Sequence, residues 1–108
     1  MSYELRMKPI GTHNYFVYIT TNPGKSVLYT GVTNDLKLRM KQHQNNKGKK
    51  ETFAGRYFCY KLIYFEHHND INIAIEREKE IKDLSREKKL EFIKKQNPNL
   101  NFLIFDEE

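Results

Sequence analysis

The chain has 108 residues, a formal net charge of +5 and a single cysteine. This length supports one domain with one core, and a lone cysteine excludes an internal disulfide bond. No apolar stretch approaches the roughly 20 residues of a membrane-spanning helix, so we expect a cytoplasmic protein that does not bind membranes.

Two strands are predicted first in the chain. Residues 14–20 and 27–31 are rich in aromatic and β-branched residues, which favour strands. A Pro-Gly pair between them predicts a tight turn and therefore an antiparallel hairpin. In such a hairpin, Tyr18 and Tyr29 can lie close together across the ladder.

A helix is predicted next, over residues 35–44, with Thr33 or Asn34 as its N-cap. Arg39 and His43 are one helical turn apart, so both project along one line of its surface. A strand end followed by a helix that presents arginine and histidine is an arrangement suited to binding an anion.

Another strand, two helices and a tail are predicted downstream. Residues 59–66 are mostly apolar on both faces, which predicts a strand at the centre of the sheet. The apolar tail is expected to lie back on that sheet. The first helix is predicted over residues 71–84, capped by Asn69 or Asp70, and the second runs from Ser85 to Asn97. The apolar tail covers residues 100–105.

Glu78 falls at the centre of the apolar stripe of the helix over 71–84. A carboxylate buried without a partner is costly, so this side chain must meet a cation, a hydrogen-bond network or a metal ion. A salt bridge to Arg39 or Arg56 and a role in a functional site both remain open from the sequence.

The excess positive charge is confined to residues 37–61. This segment holds eight of the 19 basic residues and one of the 14 acidic ones, which leaves 11 basic and 13 acidic residues elsewhere. Such a segment is expected of a surface that faces nucleic-acid phosphates, and the alternative is a solvated lysine-rich loop. The candidate nucleic-acid-binding residues are Lys47, Lys49, Lys50 and Arg56.

A set of spaced residues makes this reading more specific. The chain carries, in order, Tyr18, Tyr29-Thr30-Gly31, Arg39, His43, Glu78 and Asn97-Pro98. This set, with its spacing, resembles the GIY-YIG nuclease superfamily, and in particular its small stand-alone bacterial members, over residues 14–98. The superfamily includes the nuclease domains of the excision-repair incision subunit and of homing endonucleases.

The resemblance implies a single nuclease domain over residues 1–108, with a three-stranded antiparallel sheet flanked by helices. It also implies DNA phosphodiester cleavage with one divalent metal ion, Mg²⁺ or Mn²⁺, and branched or damaged DNA as candidate substrates. By motif position, Glu78 would bind the metal and Arg39 the scissile phosphate. Tyr18 would be the base, with Tyr29 orienting water or phosphate; His43 would support the site and Asn97 would lie near it.

The chain departs from the family pattern in three places. The first signature is Phe16-Val17-Tyr18, without its glycine, and the second has Thr30 in place of its central isoleucine. Val32 stands where the repair relatives carry a lysine. The alternative to an active nuclease is therefore a nucleic-acid-binding module of the same fold that does not cut. A weaker alternative is an accessory subunit that docks through its apolar tail. A monomer or weak homodimer is expected, with DNA as partner. Specificity would come from the basic loop over residues 47–56, from a second subunit or from a protein partner.

Overall fold

The computed structural model describes residues 14–105, which form an α+β domain of three strands and four helices within that range. No helix in this part of the chain is long and apolar enough to cross a membrane. In chain order the elements are β1 (Tyr15–Thr21), β2 (Leu28–Thr33), α1 (Leu36–Asn46), α2 (Phe53–Arg56), β3 (Lys61–His68), α3 (Ile71–Lys82) and α4 (Arg86–Gln96).

The three strands form one antiparallel sheet in the order β2-β1-β3. The predicted hairpin is confirmed, but the prediction that residues 59–66 form the central strand is wrong. β1 occupies the centre and is buried from Phe16 to Thr21, because it pairs with a neighbour on each side. β3 is an edge strand, and its apolar first half is covered by helices and tail while its polar end, Glu66–His68, reaches the surface.

Each face of the sheet carries its own core. Helices α3 and α4 cover one face, where Ala74, Ile81 and Ile93 pack on Val17 and Ile19. On the other face, α1 and the C-terminal tail pack around a second cluster. That cluster contains Phe16, Tyr18, Leu36 and Leu62, with Leu103 and Phe105 from the tail against it. The tail therefore lies back on the sheet as predicted, and the Leu103 amide donates to the Leu62 carbonyl at 2.7 Å.

The N-cap of α1 is Asp35, not Thr33 or Asn34 as predicted. Its carboxylate accepts from the Leu38 amide at 3.0 Å, while the Thr33 hydroxyl accepts from the Asp35 amide at 3.1 Å. The threonine thus shapes the turn before the helix, and the carboxylate caps the helix itself. The two later helices have the N-caps expected from the sequence, Asp70 and Ser85.

A short helix, α2, stands where the sequence indicated only a surface loop. The Thr52 hydroxyl caps it, and Gly55 seats it against the end of α1. A Cβ on Gly55 would lie 2.5 Å from the Lys49 carbonyl and 2.6 Å from the Asn46 carbonyl. The basic loop between the helices is bound to α2 in turn, since the Gly48 amide donates to the Gly55 carbonyl at 2.8 Å.

Gly31 leaves room for the Tyr18 ring on the facing strand. The two residues are paired across β1 and β2, and a Cβ on Gly31 would lie 2.5 Å from the Tyr18 hydroxyl oxygen and 2.6 Å from Cζ. Any other residue would push the ring away. The glycine of the Tyr-Thr-Gly signature is thus a packing requirement of the tyrosine on the facing strand.

Gly31→Ala should lower the free energy of unfolding by about 1–3 kcal/mol, because the new methyl group overlaps a fully buried ring that has no room to retreat. Urea unfolding at neutral pH measures the change. Gly24→Ala is the matched control, because the nearest atom to its Cβ is Asn22 Nδ2 in the same turn, 3.8 Å away. Equal stability of the two variants would contradict this account.

Candidate active site

The Tyr18 side chain lies beside two of the other predicted site residues, Tyr29 and His43. Its ring is fully buried, and its oxygen lies 2.8 Å from His43 Nε2. The Arg39 guanidinium also acts on this hydroxyl, and its charge lowers the pKa of Tyr18. Tyr18 therefore interacts with both α1 residues that project along one line of the helix.

Burial raises the pKa of Tyr18 far above its usual value. The neighbouring Tyr29 and the Glu78 carboxylate also raise this pKa, while Arg39 lowers it. A phenol in this setting stays protonated and meets no bulk water, which makes it a poor proton acceptor. The sequence led us to expect Tyr18 to act as the base, but its buried position favours a role in positioning its neighbours.

His43 is neutral at physiological pH. Burial, with the Arg39 charge as a second cause, lowers the pKa of His43 to about 4. A neutral imidazole has one nitrogen that can accept, and Nε2 is the nitrogen that faces the Tyr18 hydroxyl. With the imidazole proton on Nδ1, Nε2 accepts the hydrogen bond that the Tyr18 hydroxyl donates.

The free energy of unfolding should fall as the pH is lowered from 7 to 4. The pKa of His43 is about 4 in the fold and about 6.5 in the unfolded chain, so between these values the unfolded chain binds more protons. The resulting loss is up to about 3 kcal/mol. Urea unfolding at pH 7 and pH 4.5 gives the loss in free energy of unfolding for wild type and for His43→Gln. The difference between the two losses is the contribution of His43. Identical pH dependences would exclude the buried neutral histidine.

Tyr29, unlike Tyr18, faces an open cleft. Its ring centroid lies 6.3 Å from that of Tyr18 and 5.5 Å from that of His43. The cleft has a volume of about 310 Å³ and is lined by Tyr29, Arg39, Gln42, His43, Asn46, Thr52 and Ala54. Tyr29 and Arg39 are therefore the tyrosine and the cation that a phosphate in this cleft would meet.

Three polar residues of the lining were not identified from the sequence. Gln42 and Asn46 continue the line of Arg39 along α1 at spacings of three and seven, and that periodicity was the available signal. Thr52 reaches the cleft as the N-cap of α2. The sequence signal for Thr52 was its suitability as an N-cap. That signal could be used only if a helix was already known to begin at Phe53.

Glu78 is largely buried and carries an ion pair with Lys82, a partner not considered from the sequence. Its side chain is 15% exposed, and Lys82 Nζ lies 3.0 Å from Oε2. Glu78 does not line the cleft, but its charge acts on the Tyr18 phenol, as does that of Arg39. The structure thus brings Glu78 and Arg39 into the neighbourhood of the same hydroxyl.

The side chains near Tyr18 suit a metal ion that is held partly by the substrate, and not a site in which the protein supplies every ligand. The residues from 14 to 105 contain no cluster of three or more His, Cys, Asp or Glu side chains that could hold a metal ion. Mg²⁺ is commonly held by one or two carboxylates together with water and substrate phosphates. Glu78 fits the role of that carboxylate, since its partner Lys82 is 49% exposed and can move aside.

Asn97 was expected near the site, but its hydrogen bonds are those of a structural residue. Its side-chain amide donates to the Ile63 and Asn101 carbonyls, both at 2.9 Å, and its carbonyl accepts from the Asn101 amide at 3.0 Å. It is buried at the C-cap of α4. It therefore ties the end of that helix and the tail to β3.

The predicted nucleic-acid-binding residues lie outside the cleft, on the exposed surface of the α1–α2 connection and of α2. The Lys47 ammonium lies 4.8 Å from the centre of the Tyr60 ring, and Arg56 donates to the Lys50 carbonyl at 3.1 Å. Lys49 and Lys50 point into solvent. Asn46 and Thr52, which bracket the loop, both line the cleft, so this basic surface borders it.

Comparisons with known proteins agree with this geometry. A family model described as the GIY-YIG catalytic domain matches residues 14–91. A UPF0213 protein of Clostridium perfringens is 45% identical over 78 residues, which cover 72% of this chain and 81% of that protein. A UPF0213 protein of Staphylococcus aureus is 38% identical over 81 residues, covering 75% and 95%.

A solved structure is also similar. The solution NMR structure of a UPF0213 protein from Bacillus halodurans superimposes with a TM-score of 0.52 at 34% identity, covering 80% of this chain and 88% of that one. The predicted fold class, a three-stranded antiparallel sheet flanked by helices, is confirmed.

Proposed function

Because the chain belongs to the GIY-YIG catalytic domain family, we propose that it is a metal-dependent DNA endonuclease that hydrolyses phosphodiester bonds. Membership of the family, predicted from the spaced signature residues, is confirmed. The family supports a nuclease-type function. The metal requirement and the choice of branched or damaged DNA are our proposals.

One observation carries the proposal: Tyr29 and Arg39 line the same cleft, directly beside the Tyr18–His43 pair. In the proposed reaction the Arg39 guanidinium binds two oxygens of the scissile phosphate in a fork. In its deprotonated form, the Tyr29 side chain orients the attacking water and accepts its proton, which restores the phenol. Tyr18 acts as a positioning residue, because its hydroxyl hydrogen-bonds to His43 and interacts with the Arg39 charge.

Glu78 would hold the single divalent ion, Mg²⁺ or Mn²⁺, with water and the substrate phosphate completing the coordination. When bound, that ion supplies positive charge for the phosphate and the leaving oxygen. Lys82 neutralises Glu78 in the free protein. Entry of the ion would therefore move the lysine toward solvent or toward the DNA backbone.

A cleavage assay tests the proposed function. End-labelled flapped, branched, single-stranded and fully paired DNA is incubated with the protein in Mg²⁺, in Mn²⁺ and in excess chelator. Cutting of at least one structure with either metal, lost on chelation and restored by added metal, is the expected result. No cutting of any structure in either metal would overturn the proposal.

The second candidate is a module that binds nucleic acid without cutting it. Two observations favour it: the Tyr18 hydroxyl is sealed from water, and Lys82 already neutralises Glu78. The same assay separates the two candidates when DNA binding is measured beside it. Binding that weakens with salt, as phosphate contacts require, together with no cleavage, would assign the protein to this class.

A further inference from the structure

Two exposed aromatic side chains extend the catalytic cleft onto the protein surface. The Phe53 ring stacks on Tyr29 with an interplanar angle of 25° and a centroid distance of 6.2 Å. Tyr57 lies 4.8 Å beyond Phe53. Phe53 is 52% exposed and Tyr57 is 44% exposed. A continuous line of rings therefore runs from Tyr29, inside the cleft, to solvent.

The charge around these rings indicates what they bind. Lys49, Lys50 and Arg56 are exposed on the segment that carries the rings, and its one acidic residue is Glu51. Aromatic side chains surrounded by cations are the usual surface for unpaired nucleotides, whose bases stack while their phosphates meet the charges. Charged residues are depleted at the core of protein–protein interfaces, so a protein partner suits this surface less well.

The rings are held in a fixed position relative to the cleft. α2, which carries Phe53, is seated on the Asn46 and Lys49 carbonyls with no room for a side chain at Gly55. The Thr52 hydroxyl caps this helix and also lines the cleft. A base stacked on Phe53 would therefore lie at a set distance from a phosphate bound by Arg39.

We propose that Phe53 and Tyr57 stack an unpaired nucleobase next to the phosphate in the cleft, so that the site selects nucleic acid with an unpaired base at the cut. In a matched duplex every base is already stacked on its neighbours and cannot reach these rings. The phosphate position rests on the proposed function, whereas the stacking is a property of binding. The two are therefore tested separately.

The test measures binding in chelator, where no cutting occurs, to a duplex with one unpaired 2-aminopurine and to its fully paired counterpart. Phe53→Ala should weaken binding of the unpaired substrate about tenfold and remove the fluorescence quenching, because a stacked base contributes about that much to affinity. Binding of the paired duplex should change less than about twofold.

Phe53→Tyr keeps the ring and should retain both signals. Phe102→Ala, with a ring 40% exposed beside Lys25 and Lys61, is the matched control and should alter neither.

Equal weakening of both substrates by Phe53→Ala, or an equal effect of Phe102→Ala, would overturn the stacking proposal. So would unchanged DNA binding with loss of self-association in sedimentation, which would assign the rings to a protein interface. Circular dichroism checks that each variant is folded. If wild type binds the unpaired substrate selectively but never cuts it in metal, the proposed function fails and the stacking proposal stands.

Discussion

Glu78→Gln should lower the single-turnover rate of DNA cleavage by about a thousandfold, the scale expected when a charge that acts on the transition state is lost. The substitution keeps the size of the side chain but removes the charge that would hold the divalent ion. The fold should survive, because a neutral amide replaces a carboxylate whose ion-pair partner, Lys82, is 49% exposed. DNA binding in chelator should change little.

Glu80→Gln is the matched control for this variant. Glu80 lies on the same helix and is also ion-paired, with Arg77 at 3.3 Å, but its side chain is 68% exposed. Its substitution should leave the cleavage rate within about twofold, as surface ion pairs contribute little. Similar rates for Glu78→Gln and wild type would show that this carboxylate takes no part in the reaction.

Tyr29→Phe should lower the single-turnover cleavage rate by about 100- to 10,000-fold, the range expected for loss of a general base. Its hydroxyl belongs to the tyrosine that faces the cleft. Tyr18→Phe should have a smaller effect, of about tenfold, because it frees Arg39 and His43 without removing the group that meets water. The comparison is made at saturating protein, so that binding does not enter the rate.

The order of these two effects is the informative result. A larger loss in Tyr18→Phe than in Tyr29→Phe would restore the role expected from the motif, with Tyr18 as base. It would also require the buried phenol to become accessible when DNA binds. Urea unfolding of Tyr18→Phe provides the accompanying check, since loss of a buried hydrogen bond costs about 1 kcal/mol.

Much of the fold could be predicted because its determinants are local. The aromatic and β-branched runs gave the hairpin, and the side chains of Asp70 and Ser85 gave two helix starts. The spacing of Tyr18, Arg39 and Glu78 also identified the family. These features depend on neighbours within a turn or a strand, which the order of residues states directly.

The errors arose where distant parts of the chain decide the outcome. β3 was predicted to be central because its sequence is mostly apolar on both faces. The helices and the tail cover those faces, while β1 is the central strand of the sheet. α2 depends on the fit of Gly55 against α1. The burial of Tyr18 depends on Gly31 across the hairpin and on His43 of α1. No local pattern records such contacts, and they are what separate the two tyrosines.

The central claim is that a water molecule, oriented at Tyr29 and Arg39, attacks the phosphate of DNA. Single-turnover cleavage of a flapped substrate in ¹⁸O-labelled water, with mass spectrometry of the products, tests it most directly. The predicted result is a product whose terminal phosphate carries one ¹⁸O atom. In chelator, no product should form. A product phosphate without ¹⁸O, DNA joined covalently to a tyrosine, or no cleavage at all would contradict it.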